Sequence, residues 1–322
     1  MTQRAGGPRR RRGADPSREG DAAAAGASSK VPAPFNCAAR GKRLQRVLAE
    51  AGIASRRACE AMIETGRVHV NGVSVAALPA WVDPLEDRIE IDGRPVAVVK
   101  RAAPKRTYVV LNKPRRVIST TRDPQGRTDV LDLVNLPQRL YPVGRLDADS
   151  SGLILLTNDG ELANRLTHPR YEVPKLYHVT VRGRLTAQDL EHLKEGLYLA
   201  HRSASAQKPQ AKKATVARVK LLGYTANRAG ESRSRLALTL REGQNRQIRR
   251  LLARLGHKVQ RLERVAIGPI RVKGLAAGQW RPLTGTERRQ LRRAAGLEAR
   301  EAQTSRKPIT GASRPPASGD AR

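Results

Sequence analysis

The sequence predicts an α+β protein with two folded units between basic tails. Helical apolar stripes and short alternating strands occupy residues 41–98, and longer strands with turns and inserted helices occupy residues 107–290. Hydrophobic residues form 39% of the 322 positions, enough for a core in each unit. The expected architecture is therefore a small α/β module followed by a larger α+β domain with a mixed, mostly antiparallel sheet and flanking helices.

The two ends of the chain and the stretch between the units have a different composition. Residues 1–40 hold a run of four arginines and then Ala, Gly, Ser and Pro, and residues 291–322 are similar. Such segments bury too little apolar surface to offset the entropy of ordering. We expect a disordered basic arm, a disordered basic tail, and a short basic linker at residues 99–106.

The first unit reads as two helices followed by a hairpin. An apolar stripe at i, i+3, i+4 and i+7 predicts a first helix from Leu44, and Ser55 is suited to cap a second helix. Asn71-Gly72 lies between two alternating valine pairs, and this dipeptide tolerates the positive φ angles of a two-residue hairpin turn. A further strand is expected at residues 88–91.

The second unit reads as several strands with helices inserted between them. Turn residues separate the apolar stretches, and hairpin-like connections favour antiparallel pairing. The predicted strands are residues 108–111, 152–157, 176–181 and 236–240, and the predicted helices are residues 161–166 and a segment from Asn245 to Gly256.

Charge and composition narrow the class of function. The chain has 62 Lys and Arg against 29 Asp and Glu, a formal net charge of +33, which requires a polyanionic partner. The longest apolar run, residues 152–156, is too short for a membrane span, and the N-terminal stretch lacks a signal-peptide hydrophobic region. We therefore expect a cytoplasmic protein that binds nucleic acid and not membrane.

Cofactor motifs are missing from the sequence. Two cysteines and six histidines show no metal-ligand spacing. No glycine-rich phosphate loop or dinucleotide fingerprint occurs either. We expect no metal, no nucleotide and no other cofactor.

A polar loop at residues 141–150 leads directly into the most apolar strand of the chain. It contains Asp147 and Asp149, and a carboxylate at such a junction can be held rigidly at the mouth of a cleft. The residue pattern leaves both carboxylates open as candidates, and either could simply cap a turn.

The first unit carries Ser-Arg-Arg at residues 55–57 and Val-Asn-Gly at residues 70–72. With these motifs in this order, it resembles the small RNA-binding domain named after ribosomal protein S4. In that family the second helix and the following hairpin meet RNA. The resemblance implies RNA contacts for Arg43, Arg56, Arg57 and Asn71.

The second unit contains ordered blocks on both sides of its polar loop. The blocks are Gly144 to Asp147, Gly152 to Gly160, Leu111 to Pro114, Pro174 to Tyr177, Glu242 to Leu251 and Arg261 to Ile270. Together with the S4-type module they resemble the pseudouridine synthases that act on ribosomal RNA, in the branch that modifies the large subunit. Two positions depart from the usual pattern: Arg116 stands where Gly is common, and Ser150 replaces Thr.

The resemblance implies a role for several residues. Asp147 is the catalytic carboxylate, Arg145 fills the place of the flipped base, and Tyr177 stacks on the uracil, although core packing beside Val179 is the alternative for this ring. Arg249 lies at the edge of an apolar helical stripe, where a guanidinium needs an anionic partner, and the resemblance makes Asp147 that partner. Further RNA contacts are expected from Lys113, Lys175, Arg246 and Arg250.

Two other functions fit the same composition. A non-catalytic ribosome-assembly factor would bind ribosomal RNA without changing it, and a base-excising glycosidase would release free uracil. The set Asp147, Tyr177 and Arg249 favours the synthase over the assembly factor, because binding alone needs no carboxylate facing phosphate. The expected partner is ribosomal RNA or a ribosome assembly intermediate, bound by a monomer.

Overall fold

In the computed structural model, the described residues are 30–97, 106–121, 123–201, 210–226 and 230–297. The chain divides into two units between Pro104 and Lys105. The longest helix of this described part has 10 residues, so none of its helices could cross a membrane.

The first unit packs two helices on short strands. The elements are β1 (Lys42–Arg43), α1 (Leu44–Glu50), α2 (Arg56–Glu64), β2 (Val68–Val70), β3 (Val73–Ser74), β4 (Trp81–Val82), β5 (Ile89–Ile91) and β6 (Arg94–Pro95). Strands β3, β2, β5 and β6 form one antiparallel sheet in that order, and β1 pairs with β4. The helices and strands share a core that includes Leu44, Leu48, Ile63, Val68 and Val82.

Local sequence signals of this unit are confirmed. The Ser55 hydroxyl accepts a hydrogen bond from the Ala58 backbone N–H at the start of α2. Asn71 and Gly72 have φ angles of 53° and 81°, as the hairpin turn between β2 and β3 requires. The strand predicted at residues 88–91 is β5.

The predicted disordered arm over residues 1–40 is wrong for residues 30–40. Phe35 is 1% exposed and belongs to the core of the first unit. Its carbonyl accepts a hydrogen bond from the Trp81 backbone N–H at 2.9 Å, and Arg40 forms an ion pair with the buried Asp87. One aromatic side chain and one ion pair therefore fix a segment whose average composition indicates disorder. Residues 1–29 lie outside the described residues.

The second unit is built on one large sheet. Its strands are β7 (Tyr108–Lys113), β8 (Tyr141–Pro142), β9 (Ser151–Thr157), β10 (Lys175–Arg182), β11 (Leu197–His201), β12 (Gln210–Ala214), β13 (Arg218–Ala226), β14 (Ser232–Leu240), β15 (Val259–Ile267), β16 (Ile270–Arg271) and β17 (Trp280–Pro282). Its helices are α3 (Gly160–Thr167), α4 (Ala187–Glu195), α5 (Gln247–Arg254) and α6 (Gly285–Ala294). All four predicted strands and both predicted helices are present.

The sheet has the order β13-β14-β10-β15-β9-β7-β17, with β16 added to β15 and β8 added to β9. Among the strands described, the pairs of this sheet are antiparallel except β9 with β15, which run parallel at Ser151–Glu263 and Gly152–Arg264. The expected mixed, mostly antiparallel sheet is confirmed. Strands β11 and β12 form a separate hairpin.

Alternating side chains of β9 face two different cores. Ile154 and Leu156 pack in a core that also contains α5, through Ile248 and Leu251. Leu153 and Leu155 pack on the other side with α3 and α6. This strand is buried on both faces, which is why it reads as a continuous apolar run.

The predicted tail over residues 291–322 is wrong at its beginning. Thr284 and Glu287 form a capping box at the start of α6, and the helix runs through Leu291 to Ala294. Leu291 and Leu297 are buried in the core beside α3. These apolar side chains are sparse among arginines, so composition conceals an amphipathic helix. Residues 298–322 and most of the predicted linker, residues 98–105, lie outside the described part.

Candidate active site

The loop of Asp147 is fixed by backbone and hydroxyl hydrogen bonds. Ser119 Oγ donates to the Leu146 carbonyl at 3.0 Å and accepts from the Leu146 N–H at 3.2 Å. The Asp147 carbonyl accepts from the Ser150 N–H at 3.0 Å, which closes a turn before β9. The Asp147 side chain keeps 28% of its surface exposed. The loop therefore presents this carboxylate to solvent in a defined position.

The segment before α5 brings a guanidinium to both loop carboxylates. Arg246 precedes α5 in a left-handed conformation, with φ of 49°. Its Nη1 lies 3.3 Å from Asp147 Oδ2, and its Nη2 lies 3.2 Å from Asp149 Oδ2. A left-handed residue redirects the chain at the helix start, and here that turn aims the Arg246 side chain at the loop.

Arg249, one turn along α5, has a different partner from the one expected. Its Nη2 lies 3.2 Å from Asp149 Oδ2 and donates to the Asp149 carbonyl and to Ser150 Oγ, each at 3.2 Å. Only 13% of the side chain is exposed. The expected direct pairing of Arg249 with Asp147 is therefore wrong. Arg246 pairs with Asp147, and Arg249 contacts the backbone carbonyl and the carboxylate of Asp149.

The two carboxylates have different surroundings. Burial raises the pKa of Asp149, but the hydrogen bond from Arg246 and the charges of Arg249 and Arg246 outweigh it and leave that pKa below its usual range. Asp149 is thus shared by two guanidinium groups, whereas within the described part of the chain the ion pair of Asp147 is with Arg246. Asp147 therefore has fewer ionic contacts than Asp149, although its side chain is the less exposed of the two, at 28% against 40%.

Lys113 lies inside the protein behind the loop. It has no exposed surface, and its Nζ donates to the Val117 carbonyl at 2.6 Å and to the Pro114 carbonyl at 2.9 Å. Burial lowers the pKa of Lys113 to about 8, although the charges of Asp149 and Asp147 oppose that shift. The predicted RNA contact by Lys113 is wrong, because a side chain without exposed surface cannot reach a phosphate.

The turn held by Lys113 directly contacts the candidate catalytic loop, the polar loop at residues 141–150. The Arg116 N–H donates to the Ala148 carbonyl at 2.6 Å, between the two site aspartates. Arg116 has φ of 69°, the left-handed region that favours glycine. The departure from Gly noted in the sequence therefore leaves the turn intact, with arginine in a glycine-like conformation.

Tyr177 and its neighbours in the sheet lie beside this region. Tyr177 is 9% exposed and packs in the same core as Val179 and Ile248, as the alternative reading of this ring has it. Its contact with substrate stays a prediction. Its register partner on β15 is Arg264, which is 2% exposed and donates from Nε to the Leu153 carbonyl at 2.8 Å.

Arg264 is a buried site residue that sequence reasoning missed. Its Nη1 also reaches the Arg145 carbonyl at 3.5 Å, so it joins β15 to β9 and to the catalytic loop. Arg264 lies in the block from Arg261 to Ile270 that resembles the synthases. A charged residue in a strand usually faces solvent, so the sequence did not single out Arg264 as a buried residue.

Three other predicted site residues, the substrate-binding Arg145 and the RNA-binding Lys175 and Arg250, differ in accessibility. The Arg145 side chain is exposed on the catalytic loop. Lys175 is half-buried and donates to the Val173 carbonyl at 3.3 Å, and burial lowers its pKa to about 8. Arg250 is half-buried and donates to the Ala200 carbonyl of β11. These contacts tie Lys175 and Arg250 to the protein, so Arg145 is the most accessible of the three.

In the first unit, Arg56 and Arg57 are exposed at the start of α2. The guanidinium of Arg43 lies 5.8 Å from the centre of the Trp81 ring. The Asn71 side chain donates to Asp87 at 2.9 Å and accepts from the Arg88 N–H at 2.8 Å. Asn71 therefore stabilises the hairpin turn, and Arg56 and Arg57 are the open basic groups of this surface.

A groove lies next to the ion pairs of the site. It has a volume of about 390 Å³ and is lined by residues that include Asp149, Arg246, Arg249 and Lys258. Across the described residues, no cluster of His, Cys, Asp or Glu could hold a metal ion. The groove combines basic walls with an accessible carboxylate at its edge, which suits a polyanionic substrate.

Known proteins share both units. The sequence signature of the RNA pseudouridylate synthase family matches residues 107–254, and that of the S4 domain matches residues 42–77. The chain is 42% identical over 252 residues to ribosomal large subunit pseudouridine synthase B of Bacillus subtilis, spanning 78% of this chain and 96% of that protein. It is 40% identical over 258 residues to an uncharacterized RNA pseudouridine synthase of Aquifex aeolicus, spanning 80% and 96%.

A solved structure is also similar. The crystal structure of a pseudouridylate synthase is 27% identical and has a TM-score of 0.49, with 78% of this chain and 100% of that chain covered.

The family match contains both loop aspartates and their ion-pair partners. Residues 107–254 include the buried Lys113, the loop of Asp147 and Asp149, and both guanidinium groups of the α5 region. The similarity to the Bacillus protein extends over nearly its full length. The chain therefore belongs to the RNA pseudouridine synthases, with an S4 domain ahead of its catalytic unit.

Proposed function

We propose that this enzyme isomerises uridine to pseudouridine in ribosomal RNA of the large subunit, with Asp147 as its catalytic residue. The observation that carries the proposal is the accessible Asp147 carboxylate, held on a fixed loop and paired, among the residues that the structure describes, with Arg246. The names of the Bacillus subtilis and Pseudomonas aeruginosa relatives, ribosomal large subunit pseudouridine synthase B, support the substrate.

The reaction balances without an external reactant. The bond from the ribose to N1 of uracil breaks, the base rotates, a bond forms from the ribose to C5, and the proton on C5 moves to solvent while N1 takes up a proton. Asp147 acts at the sugar or the base while its charge is held by Arg246. Asp149, fixed by Arg246 and Arg249, keeps the loop in place. Substrate and product have the same composition, so the reaction needs no redox partner.

The uracil must leave its base stack to reach Asp147, at a cost of a few kcal/mol. The exposed Arg145 is two residues before Asp147, so its side chain can occupy the vacated position in the RNA. Tyr177, which keeps 9% of its surface exposed, would contact the flipped uracil ring. Both residues belong to the substrate-binding part of the site.

RNA binding uses the positive charge of both units. Arg56 and Arg57 of the S4 domain would contact phosphates, which position an RNA without reading its sequence. Arg246 would contact substrate near the reacting base. We infer that the enzyme acts in the cytoplasm as a monomer, on ribosomal RNA or on an assembly intermediate.

The test compares two single variants on transcribed large-subunit ribosomal RNA, with pseudouridine mapped by chemical labelling. Asp147→Asn should form no pseudouridine and bind RNA within a few-fold of the wild type, because one carboxylate contributes little among many phosphate contacts. Asp149→Asn should keep part of the activity. A fully active Asp147→Asn enzyme would refute the mechanism, and loss of turnover in Asp149→Asn alone would move the catalytic role to Asp149.

The same assay separates the two rival functions. A wild-type protein that binds the RNA and leaves every uridine unchanged would be an assembly factor. Release of free uracil, detected by chromatography, would identify a glycosidase. The proposal requires pseudouridine in the RNA and no free base.

A further inference from the structure

The large sheet has an uncovered basic surface at its β13 end. Side chains alternate along each strand, so Tyr177 and Val179 of β10 face the core while His178 and Thr180 face the opposite side. The register of β13, β14, β10 and β15 brings six basic residues to that opposite side. We call this surface the arginine face: Arg182, Arg218, Lys220, Arg233, Arg235 and Arg261.

Acidic partners neutralise only part of the arginine face. Arg261 pairs with Glu263 at 3.0 Å, and Arg182 pairs with Glu231 at 2.9 Å. Within the described residues, Arg233 and Arg235 form no ion pair, and the Nε of Arg233 is buried without a hydrogen-bond acceptor. Two arginines at the centre of the face therefore lack an anion.

The register of the sheet adds a second sign of a missing anion. Arg233 on β14 lies directly opposite Arg182 on β10. Like charges at directly opposed positions of an antiparallel pair destabilise the sheet. Glu231 offsets the charge of Arg182 but does not pair with Arg233, so an anion beside Arg233 would reduce the repulsion and supply the missing hydrogen-bond acceptor.

The shape and chemistry of this surface indicate which anion. Arg233, Arg235, Arg261, His178 and Thr180 line a groove of about 650 Å³. Its lining residues include no Phe, Tyr or Trp, so the groove offers no ring of that kind on which an unpaired base could stack. Arginine and threonine side chains without such rings suit the phosphate backbone of an RNA helix.

We propose that the arginine face binds the phosphate backbone of a double-helical segment of the substrate RNA, away from the uridine at Asp147. The inference rests on the proposed function, because it assigns this segment to the same RNA. It gives the catalytic unit its own RNA contact on the side of the sheet opposite Tyr177, independent of the S4 domain.

The test removes the two central arginines of the arginine face in the full-length protein, as the double variant Arg233→Gln/Arg235→Gln. Binding is measured with transcribed large-subunit ribosomal RNA and with a plain RNA duplex of about 20 base pairs, slightly longer than the span of a double-stranded-RNA-binding domain. Removing two phosphate contacts should weaken affinity about 10-fold and reduce the slope of log affinity against log salt by about 1–2. The variant Arg233→Lys/Arg235→Lys keeps the charge and should recover most of the affinity.

A matched variant, Arg288→Gln/Arg289→Gln, removes the same charge from exposed positions of α6. It should keep the affinity and salt slope of the wild type. Equal losses in both Gln variants would overturn the proposal, because the effect would be one of net charge. Unchanged affinity and slope in Arg233→Gln/Arg235→Gln would also overturn it, as would a loss seen only with assembled ribosomal particles, which would indicate a protein partner.

Two controls keep the result interpretable. Circular dichroism melting checks that each variant is folded, and the single variant Arg235→Gln, at an exposed position, retains the test if the double variant is not folded. The readout is binding, so the two proposals fail separately. A wild-type enzyme that makes no pseudouridine contradicts the proposed function, whereas unchanged binding by the Gln variant of an active enzyme contradicts only the arginine face.

Discussion

Arg249 acts on the catalytic loop from behind, through Asp149 and Ser150, while Arg246 contacts the carboxylate of Asp147 itself. Removing Arg249 leaves Asp149 paired with Arg246 but takes away one of its two guanidinium partners and the hydrogen bonds to the Asp149 carbonyl and Ser150 Oγ. Arg249→Ala should therefore lower turnover on saturating RNA about 100-fold, roughly 2.7 kcal/mol in activation free energy. Arg249→Lys keeps the charge but not the two-pronged geometry and should lose less.

Arg250→Ala is the matched control, because Arg250 is the next residue of α5 and donates to Ala200 instead of the catalytic loop. It should keep most of the turnover and mainly weaken RNA binding. Single-turnover rates at saturating RNA measure the difference. Equal rates for Arg249→Ala and Arg250→Ala would show that Arg249 has no positioning role.

Lys113 predicts a pH dependence of stability. Its pKa is about 8 in the folded protein, against an ordinary value of 10.5, because burial disfavours the ammonium. Between these values the unfolded chain binds more protons than the folded one, so the free energy of unfolding rises with pH in this window. The cost of burying the charge is fully present below pH 8.

Lys113→Met removes this titration. Between pH 7.5 and 10, the unfolding free energy of the wild type should rise relative to that of the variant, by up to about 3 kcal/mol. Urea unfolding of both proteins at the two pH values measures the change. Parallel pH profiles would show that Lys113 titrates normally. The unfolding measurements contain no RNA, so hydrolysis of RNA at high pH does not affect them.

At the scale of elements, the parallel contact between β9 and β15 depends on Gly152. Its φ is +102°, and a Cβ there would lie 2.3 Å from the Arg264 carbonyl oxygen and 2.8 Å from its backbone nitrogen. Backbone atoms cannot move aside as a flexible side chain can. Gly152→Ala should therefore destabilise the second unit by about 3 kcal/mol or more, and activity should fall because β9 carries the catalytic loop.

Gly256→Ala provides the control for this prediction. Gly256 also has a positive φ, +80°, but a Cβ added there would meet no atom of the described residues within 4 Å, its chain neighbours aside. Only the backbone strain remains, about 1–2 kcal/mol. Chemical denaturation of both variants separates the two effects, and equal destabilisation would mean that the contact with Arg264 relaxes without cost.

Local elements could be predicted because their signals lie within a few residues. The Ser55 cap and the Asn71-Gly72 turn depend on side chains and φ preferences at those positions, and both are confirmed. The place of Phe35 in a core depends on a hydrogen bond to Trp81, 46 positions later, which no local pattern encodes. The termini were therefore the part of the fold that composition misjudged.

In the site, too, local features could be predicted and contacts between distant segments could not. The loop with its two aspartates and the helix of Arg249 could be located from motifs, and the resemblance selected Asp147. Which carboxylate Arg249 meets depends on how α5 packs against that loop, about 100 positions away in sequence. Arg246, which contacts Asp147, has a left-handed backbone conformation. A glycine at that position would have indicated this conformation in the sequence, whereas an arginine does not.

At the scale of the whole molecule, the two units have separate cores. The core of the first unit uses residues 31–96, and those of the second unit use residues 108–297. Deleting residues 1–98 should leave the second unit folded and weakly active. RNA affinity and its salt dependence should both fall, because the phosphate contacts of Arg56 and Arg57 are lost.

Calorimetry and binding titrations check this deletion. The truncated protein should unfold in a single cooperative transition, and its slope of log affinity against log salt should be smaller than that of the full chain. A truncated protein without a melting transition would show that the second unit needs the first in order to fold.

The separation of the ion-paired residues in sequence also sets an order of events during synthesis. The S4 domain has its core partners within residues 31–96 and can fold while the rest of the chain is being made. Asp149 and Arg246 lie 97 positions apart, so the catalytic ion pairs cannot form until α5 has been translated. At about 5–20 residues per second, that delay is on the order of ten seconds. During this interval the nascent chain has a folded RNA-binding domain and no catalytic centre.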